Sequence, residues 1–353
     1  MQQLKTLIMK KKVLFISEYL NPPYDEGIKK TVYNLFLDLD KNYNLEVICR
    51  YGFKKRNINI VQTNALYYSK EVKSLIRKFK PDTIIYLPFQ SSTFASYLRL
   101  KVFSYLAIKK KVILIALQPK PLKSWQKFIV NFIKPSMAFT PSPLLHEYWN
   151  NIKVKNQLIP LLTNLTIFKP LTENREALRE KYNLPVDAFI ISHMGHLNEG
   201  RNLKTLIPLQ EEGNQVVVVS SSSTPTDALG LDSLKDFLVN SGIIILDRYI
   251  ENIEEIYQLS DLYIFPVMKK NSSIGMPLSV LEARACLVPV LTTNYGSLSQ
   301  FLGTDNNGII YSDPENFLEN LNLIKKNTIK SYKSSKVSEL NSKFYSIIHN
   351  QIN

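Results

Sequence analysis

Residues Asp261 to Ser299 read DLYIFPVMKKNSSIGMPLSVLEARACLVPVLTTNYGSLS, and the fold turns on them. Asp261-Leu262-Tyr263-Ile264-Phe265-Pro266 is a short apolar run stopped by proline, the signal of a buried strand. Ser272 to Pro277 is rich in turn residues, and Leu278 to Cys286 then reads as a helix entered just after Pro277. Val288 to Thr293 is the next strand. The order strand, loop, helix, strand calls for a parallel sheet with a right-handed crossover. A helix that starts in such a loop aims free backbone N–H groups and a positive dipole end at the sheet's carboxyl edge. Phosphate groups bind there, and ligands of open α/β sheets sit along that edge.

The same alternation runs through the rest of the chain. Lys12 to Ser17 is a strand, Asn21 to Gly27 a loop, Ile28 to Asp38 a helix and Leu45 to Cys49 a second strand. Strand Asp82–Pro88, helix Ser91–Leu106 and strands Val112–Leu117 and Ala138–Ser142 continue it. The pattern restarts with strand Ala188–Ser192, loop Gly195–Asn202, helix Leu203–Gln210 and strands Val216–Ser220 and Ile243–Leu246. Helix Ile253–Leu259 leads into the quoted stretch, and Val337–Ile352 reads as a final amphipathic helix. Two such blocks in 353 residues predict two Rossmann-like domains.

Composition narrows the class. Hydrophobic residues at 45% and charged residues at 21% suit a globular chain with a sizeable core. Two cysteines, Cys49 and Cys286, each in an apolar context, argue against a disulfide framework and for a reducing cytosol. No run of 18 apolar residues predicts a membrane span, and Met1 to Lys12 lacks the apolar core of a signal peptide. The net charge of +14 is uneven: residues 1–170 hold 28 Lys+Arg against 9 Asp+Glu, and the remainder 16 against 21. A basic first half points to an anionic partner, such as a membrane surface, lipid phosphate or nucleic acid. No aromatic-basic recognition motif backs nucleic acid. Ser124 to Lys134, SWQKFIVNFIK, places Trp125, Phe128, Ile129, Phe132 and Ile133 at helical spacing beside Lys123, Lys127 and Lys134. Two readings stand: an interfacial membrane helix, or a stripe packed on the domain's own sheet.

The words GMPLSVLEARACLVPV and TTNYGSLSQFL resemble the donor-site segment of GT-B-fold retaining glycosyltransferases of family 4, glycosyltransferase group 1. That family carries two glutamates separated by seven residues. Glu282 falls on the second, which implies a contact to the nucleotide's ribose; Ile274 stands where the first would touch the donor sugar. The resemblance implies a GT-B fold, α/β, with two Rossmann-like domains facing a cleft. Residues 1–165 would be the acceptor-side domain, 166–330 the nucleotide-sugar-binding domain, and 331–353 a C-terminal helix packing back on the first. The loop Gly195 to Asn202 is similar to the family's Gly-Arg…Lys phosphate loop, with His196 at the Arg position and Arg201 at the Lys position. Glu26-Gly27 resembles the first-loop glycine pair, and Gln118 stands near the family's histidine on the acceptor side.

The implied catalytic residues are Arg201, His196 and Glu282. The implied donor-binding set adds Gly27, Gly195, Gly275, Met276, Pro277, Leu278 and Ser279. The resemblance implies no cofactor and no metal, the nucleotide-sugar being a substrate. It implies transfer with retention; the cysteine usage points to the cytoplasm, and the basic first half with the aromatic stripe would suit a lipid-linked glycan or polysaccharide acceptor at the membrane's inner face. Two alternatives remain: a non-catalytic partner subunit, which Ile274, Gln118 and His196 favour, and a nucleic-acid-modifying glucosyltransferase.

Overall fold

The computed structural model describes residues 10–108, 110–172, 174–211, 213–220, 231–303, 308–326 and 336–353. Its contacts divide the chain into two compact units: the described part of 1–159 with Phe344–Asn353, and Pro160–Lys343.

The first unit holds β1 (Lys12–Ile16), β2 (Tyr19–Leu20), β3 (Asn44–Cys49), β4 (Tyr51–Gly52), β5 (Ile58–Ile60), β6 (Thr83–Tyr86), β7 (Lys111–Ile115), β8 (Met137–Thr140) and β9 (Asn156–Leu158). Seven of these form one parallel sheet in the order β5-β3-β1-β6-β7-β8-β9, and β2 pairs with β4. Helices cover both faces of such sheets; accordingly Val13 to Ile16 and Ile84 to Tyr86 are buried throughout. The helix predicted from Ser91 begins at Phe94 instead, because Thr93 caps it by accepting from the Ser96 N–H. Ser91 and Ser92 are diverted to the Gln118 backbone: both hydroxyls donate to its carbonyl, and its N–H donates to Ser91 Oγ at 2.7 Å. The final helix, Val337–Ile352, has its predicted bounds. Residues 331–335 lie outside the described residues. His349 ties its end into the first unit, with Nδ1 2.6 Å from the Tyr43 hydroxyl and Nε2 2.9 Å from Asp38.

The second unit holds β10 (Phe189–Met194), β11 (Asn214–Ser220), β12 (Ile244–Asp247), β13 (Leu262–Phe265), β14 (Val290–Thr292) and β15 (Ile309–Tyr311). They form a parallel sheet in the order β12-β11-β10-β13-β14-β15. The winding reverses between β10 and β13, and ligands of doubly wound sheets bind at the carboxyl end of that switch point. Ile191, Val216, Val218, Leu262, Ile264 and Leu291 share its core. The predicted strand Ala188–Ser192 runs on to Met194, which takes His193 into the sheet. The predicted helix Leu203–Gln210 is a 3-10 helix over Leu203–Leu209, since Pro208 inside it cannot donate the bond an α-turn needs. Asn341 closes the unit by accepting from Thr163 N at 3.0 Å and donating to Thr163 O at 2.7 Å.

Candidate donor site

β10 and β13 run side by side with Ser192 opposite Tyr263, so the next residue of β10 meets the end of β13. That residue, His193, is fully buried. Its Nδ1 donates to the Ile264 carbonyl at 2.9 Å, since a carbonyl only accepts. The ring lies parallel to Tyr263 at 6.3 Å and tilted to Phe265 at 6.2 Å. Nε2 is therefore a lone-pair acceptor, and it has no hydrogen-bond partner. Burial pulls the imidazole's pKa down to about 4, and the nearby Arg201 adds to the pull; the ring is neutral at pH 7.

Gly195 follows β10. A Cβ there would stand 3.0 Å from His193 Nε2 and 3.5 Å from Arg201 Cζ. The space that side chain would fill lies between His193 and the Arg201 guanidinium. Arg201 ends the short 3-10 turn Glu199–Arg201, and Asn202 after it takes a left-handed φ of +59° and donates to the Pro266 carbonyl at 3.2 Å. The Arg201 side chain is half-buried, but its Nε is shielded and meets no acceptor. Burial lowers its pKa, with Tyr263 and Tyr295 opposing that as electrostatic neighbours. A shielded guanidinium N–H without an acceptor costs free energy on the scale of a lost charged hydrogen bond. An anionic ligand at that nitrogen removes the cost.

Two further loops close on the first. A Cβ on Gly200 would sit 2.5 Å from Ser272 Oγ, so the loop after β10 touches the loop after β13. The Tyr295 hydroxyl accepts from Ser273 N and donates to Ser273 O, both at 2.9 Å. Gly296, at φ +60°, packs its backbone on Gly275, and Ser297 N donates to the Gly275 carbonyl at 2.9 Å. These contacts fix Gly275, after which Met276, Pro277 and Leu278 are buried and the helix Leu278–Ala285 starts. No side chain caps that start, so its first N–H groups face the carboxyl edge. Ser279 is half-buried beside the Tyr263 hydroxyl, which is shielded and lacks a hydrogen bond of good geometry.

The structure thus brings Gly195, Arg201, Gly275, Met276, Pro277, Leu278 and Ser279 to one edge of the second unit. His196 is half-buried in the loop between Gly195 and Arg201. Glu282 lies one turn into the helix and is only 2% exposed; the Tyr257 hydroxyl donates to its Oε2 at 2.8 Å. Ile274 is buried in the loop. Gly27 and Gln118 belong to the first unit: Gly27 opens the helix Gly27–Asn42, and Gln118 is held by Ser91 and Ser92. The sequence reading passed over His193, Tyr263 and Tyr295. The first carried only a faint signal, the polar pair Ser192-His193 inside a mostly apolar strand. It also passed over Glu18 beside β1, whose buried carboxylate takes the Arg99 guanidinium, the Tyr86 hydroxyl at 3.1 Å and the Phe89 N–H at 2.7 Å. Among the described residues, no three His, Cys, Asp or Glu side chains are grouped to hold a metal ion.

Two doubly wound, parallel-sheet units in one chain define the GT-B architecture, and solved structures bear this out. Sucrose-phosphate synthase from Thermosynechococcus elongatus superposes with a TM-score of 0.75 at 15% identity, over 97% of each chain. Anabaena HepE, solved with UDP-glucose, gives 0.74 at 13% identity, over 97% of this chain and 98% of its own. At such identities the likeness is one of fold. In sequence, residues 200–327 match the family model described as Glycosyl transferases group 1, so the resemblance to that group holds in the segment carrying Arg201 and Glu282. The putative teichuronic acid biosynthesis glycosyltransferase TuaC of Bacillus subtilis (strain 168) is 26% identical over 149 residues. That region is 42% of this chain and spans little more than a third, 36%, of the relative's own length.

Proposed function

We propose that the protein is a retaining glycosyltransferase, moving a sugar from a nucleoside-diphosphate sugar onto a hydroxyl of a lipid-linked glycan or polysaccharide. The observation that carries this is Arg201, whose shielded Nε lacks an acceptor at the switch point of the second sheet. Beside it a helix begins with no side-chain cap. A diphosphate suits both, because a cation and free N–H groups each stabilise phosphate oxygens. UDP-glucose in the HepE structure makes uridine nucleotides the first donors to test. The name of the Bacillus relative, a putative teichuronic acid biosynthesis glycosyltransferase, supports an acceptor of the teichuronic acid kind.

In the reaction, the bond from the sugar's anomeric carbon to the diphosphate breaks, and the acceptor oxygen bonds that carbon on the same face. The acceptor's proton goes to the departing phosphate oxygen, so no protein base is required. Arg201, His196 and the N–H groups of Leu278 and Ser279 stabilise the leaving charge. Gly27, Gly195 and Gly275 allow close backbone approach, with Met276 and Pro277 setting the helix start; Glu282 takes the ribose and Gln118 stands on the acceptor side. Arg201→Ala should weaken UDP binding by about 1.5–3 kcal/mol, the scale of charged hydrogen bonds, while uridine binds as before. Calorimetry of both ligands decides it: equal losses for uridine and UDP move Arg201 away from the phosphates.

A second reading, a partner subunit that binds nucleotide without turnover, is favoured by Ile274 in place of a carboxylate and by the cover over Glu282. UDP binding with no UDP released from any nucleotide-sugar and acceptor tried would select it.

A further inference from the structure

The stripe in the helix Ser124–Ile133 is not spent on the fold. Val130 is fully buried and anchors the inner face, with Ile133 packed against the core and Ile129 half-buried at the margin. The rings point the other way: Trp125 is 53%, Phe128 66% and Phe132 71% exposed. Phe128 and Phe132, one turn apart, pack edge to face at 5.2 Å, and Trp125 leans on Phe94 at 5.2 Å. The neighbouring helix Phe94–Leu106 is followed closely by exposed Ile108. A monomer in water rarely leaves such an apolar run uncovered without a partner for it.

Charge chooses the partner. Lys123, Lys127 and Lys134 flank the rings and are exposed; among the described residues none of the three is ion-paired, and Lys134 Nζ donates to the Ile152 carbonyl at 2.7 Å. The chain from residue 83 to 146, which contains this helix and its neighbour, holds nine Lys and Arg and no Asp or Glu. Aromatic rings on one side of a helix, bordered by lysines that no carboxylate neutralises, in an acid-free segment, match a surface that is apolar inside and anionic at its rim. We propose that this helix lies in the headgroup plane of a bilayer rich in anionic lipid, with Trp125, Phe128 and Phe132 inserted and the lysines among the phosphates. The inference rests on the first unit alone and stands or falls apart from the donor site.

The two tryptophans make the test specific, because Trp149 is fully buried and Trp125 is not. The full chain is mixed with vesicles of phosphatidylcholine alone and of phosphatidylcholine with phosphatidylglycerol, then floated. Flotation should need the anionic lipid and should fall as salt rises. Trp125 emission should shift to the blue and be quenched by brominated acyl chains, with Trp149 silent in a Trp125→Phe control. Phe128→Glu/Phe132→Glu should cut partitioning at least tenfold while melting as the parent does, since both rings face solvent. Lys123→Glu and Lys127→Glu should each cost about fivefold or more. UDP binding by the ring variant, measured alongside, shows that the second unit is intact. The proposal is overturned if anionic vesicles do not float the protein at low salt, or if the ring variant floats as well as the parent. It is overturned equally if sedimentation finds a dimer that the ring variant abolishes, for then a second copy covers the rings.

Discussion

Gly296→Ala measures how tightly the donor-site loops are locked. Gly296 sits at φ +60°, and a Cβ there would lie 2.0 Å from the Gly275 carbonyl oxygen and 2.9 Å from its carbon. Two costs add. Left-handed backbone costs an alanine about 1–2 kcal/mol. The contact, far inside the roughly 3.5 Å of non-bonded heavy atoms, also forces the Gly275 peptide to move by more than about 1 Å. That movement breaks the 2.9 Å bond from Ser297 N, worth about 0.5–1.5 kcal/mol. The expected loss is about 1.5–3.5 kcal/mol. Gly213→Ala is the matched control: its φ is +78°, but a Cβ there meets nothing within 4 Å, so it bears the backbone cost alone. Denaturant unfolding of both variants separates the costs, and in a unit of this size each kcal/mol lowers Tm by about 2–4 °C. UDP affinity should fall in Gly296→Ala, because Gly275 stands just before the helix start, and should hold in Gly213→Ala. Equal destabilisation by the two alanines would refute the close backbone packing of Gly275 on Gly296.

Glu282→Gln keeps an acceptor for the Tyr257 hydroxyl and should cost little stability, whereas Glu282→Ala leaves that hydroxyl buried and unpaired at about 1–3 kcal/mol; urea unfolding compares them. If the carboxylate also holds the ribose, both variants weaken uridine binding, and unchanged affinity in calorimetry removes that role. His193 makes stability fall with acid. Its folded pKa of about 4 lies below the ordinary 6.5, so from pH 6.5 down to about 4 the unfolded chain gains a proton the folded one refuses. The loss approaches about 3 kcal/mol at pH 4. His193→Asn should flatten the part between pH 6.5 and 5, above the range where carboxylates titrate, and an unaltered slope would place the acid sensitivity elsewhere.

Much of the fold was legible because both sheets are parallel and buried, so their strands appear as short apolar runs between turn residues. The helix at Leu278 was legible because Pro277 marks its entry and Gly275 the turn before it. His193 was not, since its meaning depends on register: only the pairing of β10 with β13 brings it to the end of Tyr263's strand. Arg201 could be picked out as a cation in a glycine loop. The shielding of its Nε could not, because that takes three loops folding over one edge. For Glu282 the sequence offered a position but no sign that Tyr257, 25 residues earlier, would cover it. The aromatic stripe shows the converse limit: periodicity says which residues share a face, and only packing says that Val130 turns inward and the rings outward.

The shielded guanidinium nitrogen has a consequence for turnover. If a diphosphate fills the place beside it, it does so whether or not a sugar is attached, so nothing at Arg201 would favour letting the nucleotide go once transfer is done. On the proposed function, departure of the spent nucleotide would then be the slow step, and that nucleotide would compete with fresh donor. Inorganic phosphate or pyrophosphate in a purification buffer would occupy the same nitrogen, raising the melting temperature while depressing the measured rate.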